Sequence, residues 1–133
     1  MGTLLEQAPV AARALATRLR LASMMRRSSL PELLRALSPD AVVARPLETV
    51  EGGLSAAQRI VAHLRGVPDT CLYRSLARYA ILRRAGHPVR FVMALDPKKA
   101  AGHAWIELDG APLGEEIDPS LTVTFTYPDS ASS

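Results

Sequence analysis

The chain has 133 residues, of which 48% are hydrophobic and 22% are charged, as is usual for one globular domain and unusual for a disordered or fibrous chain. Its single cysteine excludes an internal disulfide and any zinc or redox site built on paired cysteines. No apolar run approaches the roughly 18 residues that a membrane-spanning helix needs. The net charge of +3 hides an asymmetry, because residues 1–99 hold all 16 basic side chains and 7 acidic ones, whereas residues 100–133 hold 6 acidic side chains and no basic one.

The N-terminal region is rich in arginine but lacks the order of a secretory signal. Its arginines lie within and after the apolar residues, and Glu6 stands where the positive charges of a signal would begin. An arginine-rich amphipathic segment with few acids is also typical of a transit peptide, and that alternative stays open. We expect a cytoplasmic protein, in which the lone thiol remains reduced.

The beginning of the sequence predicts two helices. Between Val10 and Met25 the apolar residues recur at spacings of three and four, which is typical of an amphipathic helix. The predicted apolar stripe consists of Ala11, Leu15, Leu19, Ala22 and Met25. Ser29 and Glu32 form a capping-box pattern around an early proline, so a short helix is expected to begin there and to end at Leu37.

The middle of the chain predicts a connector and two further helices. Residues 38–53 contain two prolines and two adjacent glycines, which indicates a connector. A second capping-box pattern over residues 55–58 predicts a helix that ends at Gly66. The turn over residues 67–70 contains Asp69 and Thr70, either of which can cap the next helix, and that helix is expected over about residues 71–85.

The last third of the sequence predicts strands. Strand-like runs cover residues 89–95 and 103–108, and the Asp109-Gly110 dipeptide after the second run is a strong hairpin signal. A return strand is expected near residues 112–117 and a last strand over residues 121–127.

The order of these elements predicts the fold class. Helices followed by antiparallel strands indicate an α+β domain. We expect a basic helical N-terminal region over residues 1–50 that packs on or extends the core, a catalytic core over residues 51–127, and a flexible tail over residues 128–133.

Cys71 is the first candidate for chemistry. It follows an Asp-Thr pair and opens a predicted helix, so unpaired backbone N–H groups and the positive end of the helix dipole lie beside its thiol. Such a position favours the thiolate, which is the nucleophilic form of cysteine. The same N–H groups can stabilise the oxyanion of a tetrahedral intermediate. The alternative is a cysteine that fills the core as a small hydrophobic residue.

His103 strengthens the catalytic interpretation of Cys71. It lies 32 residues later at the start of a predicted strand, and a histidine that activates a cysteine needs a third group to orient its ring. The candidates for this group are the acidic residues Glu115, Glu116 and Asp118. A two-residue hairpin turn places Glu116 and Asp118 on the face of His103. A three-residue loop or a bulge brings Glu115 onto that face instead.

Other interpretations of the polar residues are weaker. His63 and His87 are expected at the surface. A zinc site that combines Cys71, His103 and an acid lacks the close ligand pairs that mark such sites. The glycines lie at helix ends and turns, so no phosphate-binding loop is expected. Few aromatic residues and an acidic last third argue against nucleic-acid binding.

Two motifs together resemble a known family. The first is Cys-Leu-x-Arg-Ser at residues 71–75, and the second is His-Ala-Trp-x-Glu-x-Asp-Gly at residues 103–110. A cysteine at a helix start, a histidine on a strand and an acid on the next strand resemble the transglutaminase-like cysteine-protease superfamily, which implies a papain-like core. Over about residues 50–120, the chain resembles the leader peptidases of lasso-peptide biosynthesis that are separate from their leader-recognition protein.

The resemblance implies a role for each site residue. Cys71 corresponds to the nucleophile and His103 to the general base. The family's acid usually falls about twelve residues after the histidine, at Glu115, although aspartate is commoner at that place. The wider superfamily often places an aspartate slightly later, which here is Asp118 before a proline. We favour Glu115 and keep Asp118 as the alternative.

The resemblance also implies a reaction and partners. The reaction is hydrolysis of one peptide bond between the leader and the core of a ribosomally synthesised precursor peptide, after a leader with threonine at its penultimate place. A small leader-recognition protein presents the leader, and an ATP-dependent, asparagine-synthetase-like lasso cyclase takes the released core. The peptidase itself needs no metal or cofactor.

Two questions stay open at the level of the sequence. Arg13, Arg18 and Arg20 can belong to a surface that receives an acidic leader or the recognition protein, or to an ordinary solvated helix face. The alternatives to a peptidase are an acyltransferase of the same superfamily, in which an amine replaces water as the acceptor, and a non-catalytic adaptor that binds the precursor.

Overall fold

The computed structural model describes residues 4–128, which form four helices followed by a four-stranded antiparallel sheet. The helices are α1 (Leu4–Arg27), α2 (Leu30–Leu37), α3 (Leu47–Val61) and α4 (Cys71–Arg84). The strands are β1 (Arg90–Asp96), β2 (Ala101–Leu108), β3 (Ala111–Pro112) and β4 (Thr122–Tyr127), in the spatial order β3-β2-β1-β4. The predicted α+β fold is confirmed. Of the tail expected over residues 128–133, only Pro128 lies within the described residues.

Helix α1 exists as predicted but buries a different face. Its buried residues are Val10, Ala14, Thr17, Arg18 and Leu21, which lie one position before most members of the predicted stripe, and Leu19 of that stripe is 55% exposed. The prediction was wrong in part, because Leu15 and Met25 of the stripe are half-buried against the core, whereas Leu19 is exposed. The fully buried face includes an arginine whose charge is paired inside the protein.

Helix α3 begins eight residues earlier than predicted and ends at Val61 rather than at Gly66. The predicted connector over residues 38–53 was therefore wrong beyond Pro46. Its glycines lie inside the helix, where a Cβ atom on Gly53 would lie 2.5 Å from Cγ1 of Val10 on α1. Gly53 thus permits a close approach of two helices rather than marking a linker.

The capping predictions at α2 and α4 agree with the structure. The Ser29 side chain accepts from the Glu32 N–H, and the Glu32 carboxylate accepts from the Ser29 N–H at 2.9 Å. At α4, the Thr70 side chain accepts from the Tyr73 N–H, so Cys71 is the first residue of the helix. Gly86 follows the end of α4 with a φ of +91°, in the left-handed region that favours glycine.

The hairpin after β2 has the predicted two-residue turn but a much shorter return strand. Asp109 and Gly110 have φ values of +54° and +80°, as a type I′ turn requires. The strand predicted near residues 112–117 was wrong, because β3 ends at Pro112. After one further backbone hydrogen bond between Leu113 and Ile106, the chain turns away at Gly114, whose φ is +83°.

The two faces of the sheet pack against different parts of the chain. Phe91, Ala104 and Ile106 face the helices and belong to the main core with Leu76 and Leu82 of α4. The opposite face carries a smaller cluster of Val92, Ala94 and Trp105, which Ile117 and Leu121 of the loop over residues 113–121 cover. Within residues 4–128, no helix is both long and apolar enough to cross a bilayer.

Candidate active site

Cys71 lies at the N-terminus of α4. The Thr70 cap precedes it, and the partly buried side chain of Cys71 packs against the main core. The first-turn N–H groups of a helix have no acceptor within the helix, and together with the helix dipole they produce a positive potential. The thiol therefore lies where both a thiolate and an oxyanion would be stabilised.

Two neighbours orient the imidazole of His103. Nε2 of the ring lies 3.0 Å from Oε2 of Glu115. The ring also stacks on Trp105, with the centroids 5.7 Å apart and the planes 28° apart. About a third of each of the His103 and Glu115 side chains is exposed, so the pair is reachable from solvent. Because Glu115 uses Nε2, the other ring nitrogen, Nδ1, is left for a reacting group.

Cys71 and His103 lie on neighbouring elements of the fold. Arg78 of α4 donates to the carbonyl of Leu113 at 3.1 Å, and the Leu113 N–H donates to the carbonyl of Ile106 at 2.8 Å, so the middle of α4 lies beside β2. Cys71 lies about 10 Å along the helix from this level, and His103 lies about 10 Å along the strand from it. His103 shares the sheet face of Trp105, opposite the face on which α4 packs.

The structure does not join the thiol to the imidazole directly. No hydrogen bond links Cys71 to His103 within residues 4–128. In structures without substrate, catalytic hydrogen bonds are often long and tighten only in the complex. The observed arrangement is thus a preformed histidine–carboxylate pair and a separate cysteine at a helix start.

Within the described residues, neither of the other two acids forms a hydrogen bond or ion pair with His103. Glu116 does not reach the position opposite His103 because β3 ends before it, so that consequence of a two-residue turn was wrong. The carboxylate of Asp118 accepts from the Ser120 N–H at 2.9 Å, and this hydrogen bond holds the pKa of Asp118 below its usual value. Asp118 therefore stabilises its own turn, whereas Glu115 is the acid in contact with the imidazole.

Arg78 braces the loop that carries Glu115. Its guanidinium donates to both carboxylate oxygens of Glu51 on α3, at 3.0 and 3.1 Å, as well as to the carbonyl of Leu113. A Cβ atom on Gly114 would lie 3.4 Å from Nη2 of Arg78, so loop and side chain are in close contact. The sequence pattern did not predict this brace. The available signal was helical spacing, since Arg78 follows Cys71 by seven residues on one face of α4.

Arg18 lies in the interior and not on the solvent-exposed face of α1. Its side chain is 4% exposed and forms a salt bridge at 2.9 Å with Asp69, two residues before Cys71. A hydrogen bond from Gln58, together with Arg18, holds the pKa of Asp69 below its usual value. Of the three arginines considered for peptide docking, Arg18 is therefore buried and paired inside the protein.

The other two histidines, His87 and His63, have different surroundings. Nε2 of His87 lies 2.9 Å from the carbonyl of Arg45, and His63 is exposed. Among residues 4–128, no group of three or more His, Cys, Asp and Glu side chains is placed to hold a metal ion. A groove of about 370 Å³ lies between α1, α3 and α4, and Arg18, Arg78 and Gly114 are among the residues that line it.

Comparison with known proteins identifies the family. A family model described as the transglutaminase-like superfamily matches residues 11–127, which include α4, β2 and Glu115. The searches of curated proteins and of solved structures found no significant match. The superfamily is typically enzymatic, with activities of the cysteine-protease or acyltransferase type. The match covers most of the chain, and it includes Cys71 at a helix start and the His103–Glu115 pair. The chain therefore belongs to the transglutaminase-like superfamily.

Proposed function

We propose that this protein is a cysteine peptidase that cleaves one peptide bond through Cys71, His103 and Glu115. The observation that carries the proposal is the 3.0 Å pair between His103 and Glu115, on a strand that lies beside the helix that begins at Cys71. A cysteine at a helix start and a histidine held by a carboxylate are the parts that thioester chemistry requires. Membership of the superfamily supports this class of reaction.

The first half of the reaction forms a thioester. Nδ1 of His103 takes the proton of Cys71, and the thiolate attacks the carbonyl carbon of the scissile bond. The C–S bond forms as the carbonyl becomes an oxyanion, which the Cys71 N–H and neighbouring first-turn N–H groups stabilise. The imidazolium then protonates the amine, the C–N bond breaks, and the C-terminal fragment leaves.

The second half releases the N-terminal fragment. His103, now neutral, takes a proton from water, and the hydroxide attacks the thioester carbonyl. The C–S bond breaks and the imidazolium returns its proton to the sulfur, which restores Cys71 and leaves a carboxylic acid. Throughout, Glu115 fixes the ring through Nε2 and stabilises the imidazolium that forms twice in each cycle.

We assign the substrate as the leader–core junction of a ribosomally synthesised precursor peptide in lasso-peptide maturation. The support is the pair of motifs at residues 71–75 and 103–110. The partners in this proposal are the precursor peptide, a small leader-recognition protein and an asparagine-synthetase-like cyclase that takes the core. Beside His103, β2 has no strand partner on the side of β3 within the described residues, and peptides can bind such an edge by adding a strand.

Acyl transfer is the second candidate function. About a third of the His103 and Glu115 side chains is exposed, so the same thioester is open to an amine as well as to water. The same residues would act in the same order, and only the group that attacks the thioester would differ. A product that carries the added amine would identify this activity.

The proposal is tested by mixing the protein with the recognition protein and the precursor peptide and by reading the products by mass. Wild type is expected to release an intact leader that ends in a carboxylic acid. Cys71→Ala should leave the precursor whole, and Asp118→Asn serves as the matched control that keeps activity. Uncleaved precursor with both wild type and Cys71→Ala would refute the peptidase, and an amine adduct with wild type alone would establish the acyltransferase.

A further inference from the structure

The buried guanidinium of Arg18 binds the segment that leads into α4. On α1, Nη1 of Arg18 donates to Oε1 of Gln58 at 2.7 Å. Nη2 donates to the carbonyl of Pro68 and to Oδ1 of Asp69, both at 2.9 Å. Two of these three acceptors belong to the turn immediately before Thr70 and Cys71.

The same turn is held from two other helices. The side-chain amide of Gln58 on α3 donates to both carboxylate oxygens of Asp69, at 2.9 and 3.1 Å. Nε of Arg74, one turn into α4, lies 3.6 Å from the same carboxylate. Asp69 therefore links α1, α3 and α4 at the residue before the Thr70 cap.

Burying a charged guanidinium is unfavourable unless a partner compensates for the lost hydration. An apolar residue on this face of α1 would fill the space without that cost, as Val10 and Leu21 do along the same face. The compensation comes from Asp69 and from the backbone of Pro68. Arg18 thus differs from an apolar residue in its hydrogen bonds and salt bridge to this turn.

We propose that Arg18 is a positioning residue for Cys71: it holds residues 68–69, and through them the Thr70 cap and the first turn of α4, in the geometry that presents the thiol. Arg18 is 4% exposed and its guanidinium hydrogen bonds go to Gln58, Pro68 and Asp69, so we assign its effect on Cys71 to this turn. The inference rests on the proposed function only in taking Cys71 as the nucleophile.

The reactivity of Cys71 gives a test that does not depend on knowing the substrate. Because the chain has one cysteine, the rate of alkylation by iodoacetamide reports on Cys71 alone. In a profile of alkylation rate against pH, Arg18→Met is expected to lie about fivefold below wild type at neutral pH, a factor that corresponds to the free energy typically lost with a helix N-cap. Arg18→Lys keeps the charge but not the forked geometry, so its alkylation rate should lie between those of wild type and Arg18→Met.

Three further variants separate positioning from stability. Asp69→Ala removes the salt bridge between Arg18 and Asp69 from the side of Asp69, which is the more exposed partner. This variant replaces Arg18→Met in the test if Arg18→Met does not fold. Arg27→Met removes an exposed arginine from the end of α1 and should alkylate like wild type. Leu33→Ala weakens the core at α2 and should keep the wild-type profile in spite of a lower melting temperature.

The outcomes distinguish this inference from the proposed function. Wild-type alkylation profiles in Arg18→Met and Asp69→Ala would overturn the inference, and so would an equal slowing in Leu33→Ala. In the cleavage assay Arg18→Met should lower kcat with little change in KM, and an unchanged kcat would also overturn it. Slowed alkylation in a protein whose wild type cleaves no precursor would support the positioning role and refute the peptidase.

Discussion

The contact between His103 and Glu115 allows a quantitative prediction for Glu115→Gln. The substitution keeps the size of the side chain and an acceptor for Nε2 but removes the negative charge. At about 3–4 Å, two unit charges interact by about 1 kcal/mol in bulk water and by about 4–5 kcal/mol at the effective dielectric of a protein surface. Since each side chain is about one-third exposed, we take about 2 kcal/mol after solvent screening.

That energy converts directly into a rate. The imidazolium forms on the way to both tetrahedral intermediates, so a loss of about 2 kcal/mol predicts roughly a thirtyfold fall in kcat/KM. The assay is the initial rate of precursor cleavage, measured by mass or chromatography with the recognition protein present. Glu116→Gln and Asp118→Asn remove charge from the same loop and should change the rate by less than about twofold.

Two results would refute this reasoning about the acid. A rate for Glu115→Gln within about twofold of wild type would mean that its charge does not act on His103 during the reaction. A loss in Asp118→Asn equal to that in Glu115→Gln would mean that the loop rearranges in the complex and that the observed pair is not the reactive one.

Three other substitutions test the surrounding framework. Arg78→Met frees the loop that carries the acid, and cleavage should fall about tenfold in kcat while Arg78→Lys recovers part of it. Gly53→Ala places a methyl group against Val10, and denaturant unfolding should show a loss of about 1–3 kcal/mol; an unchanged midpoint would contradict the close helix approach. A hydrogen bond from Gln58 lowers the pKa of Asp69, so this carboxylate stabilises the fold above its ordinary pKa of 3.8 and the contribution is lost as pH falls through the lowered value. The melting temperatures of wild type and Asp69→Asn should therefore differ at neutral pH and converge in strong acid.

Local signals in the sequence were sufficient for several parts of the fold. The caps at Ser29 and Thr70 and the turn at Asp109-Gly110 depend on hydrogen bonds and φ angles within a few residues. For this reason α4 begins at Cys71 and β2 ends at Leu108, as predicted. The position of Cys71 at a helix start follows from the same local chemistry.

Features that depend on distant residues were predicted less well. The adjacent glycines predict a connector, but the role of Gly53 is to let α1 approach α3. Local sequence patterns carry no information on that contact between distant residues. Arg18 was assigned to the surface because its partner Asp69 lies on another element. The buried face of α1 can include a charged residue only because that charge is paired inside the protein. Such pairing is a property of the tertiary structure and cannot be read from the helix alone.

The acid beside His103 shows the same limit at the site. The turn type favoured Glu116 or Asp118, whereas the family spacing favoured Glu115. The deciding feature is the positive φ at Gly114, which diverts the chain after Leu113 and ends the pairing with β2. Register arguments hold only while a strand continues, and here β3 stops after two residues.

The central claim is that Cys71 forms a thioester with the leader, and hydroxylamine provides the most direct measurement. Hydroxylamine attacks a thioester much more readily than it attacks a peptide bond, so cleavage in its presence should give a leader that ends in a hydroxamate. The account predicts this product by mass with wild type and none with Cys71→Ala. A leader that ends only in a carboxylic acid, together with continued cleavage by Cys71→Ala, would contradict it.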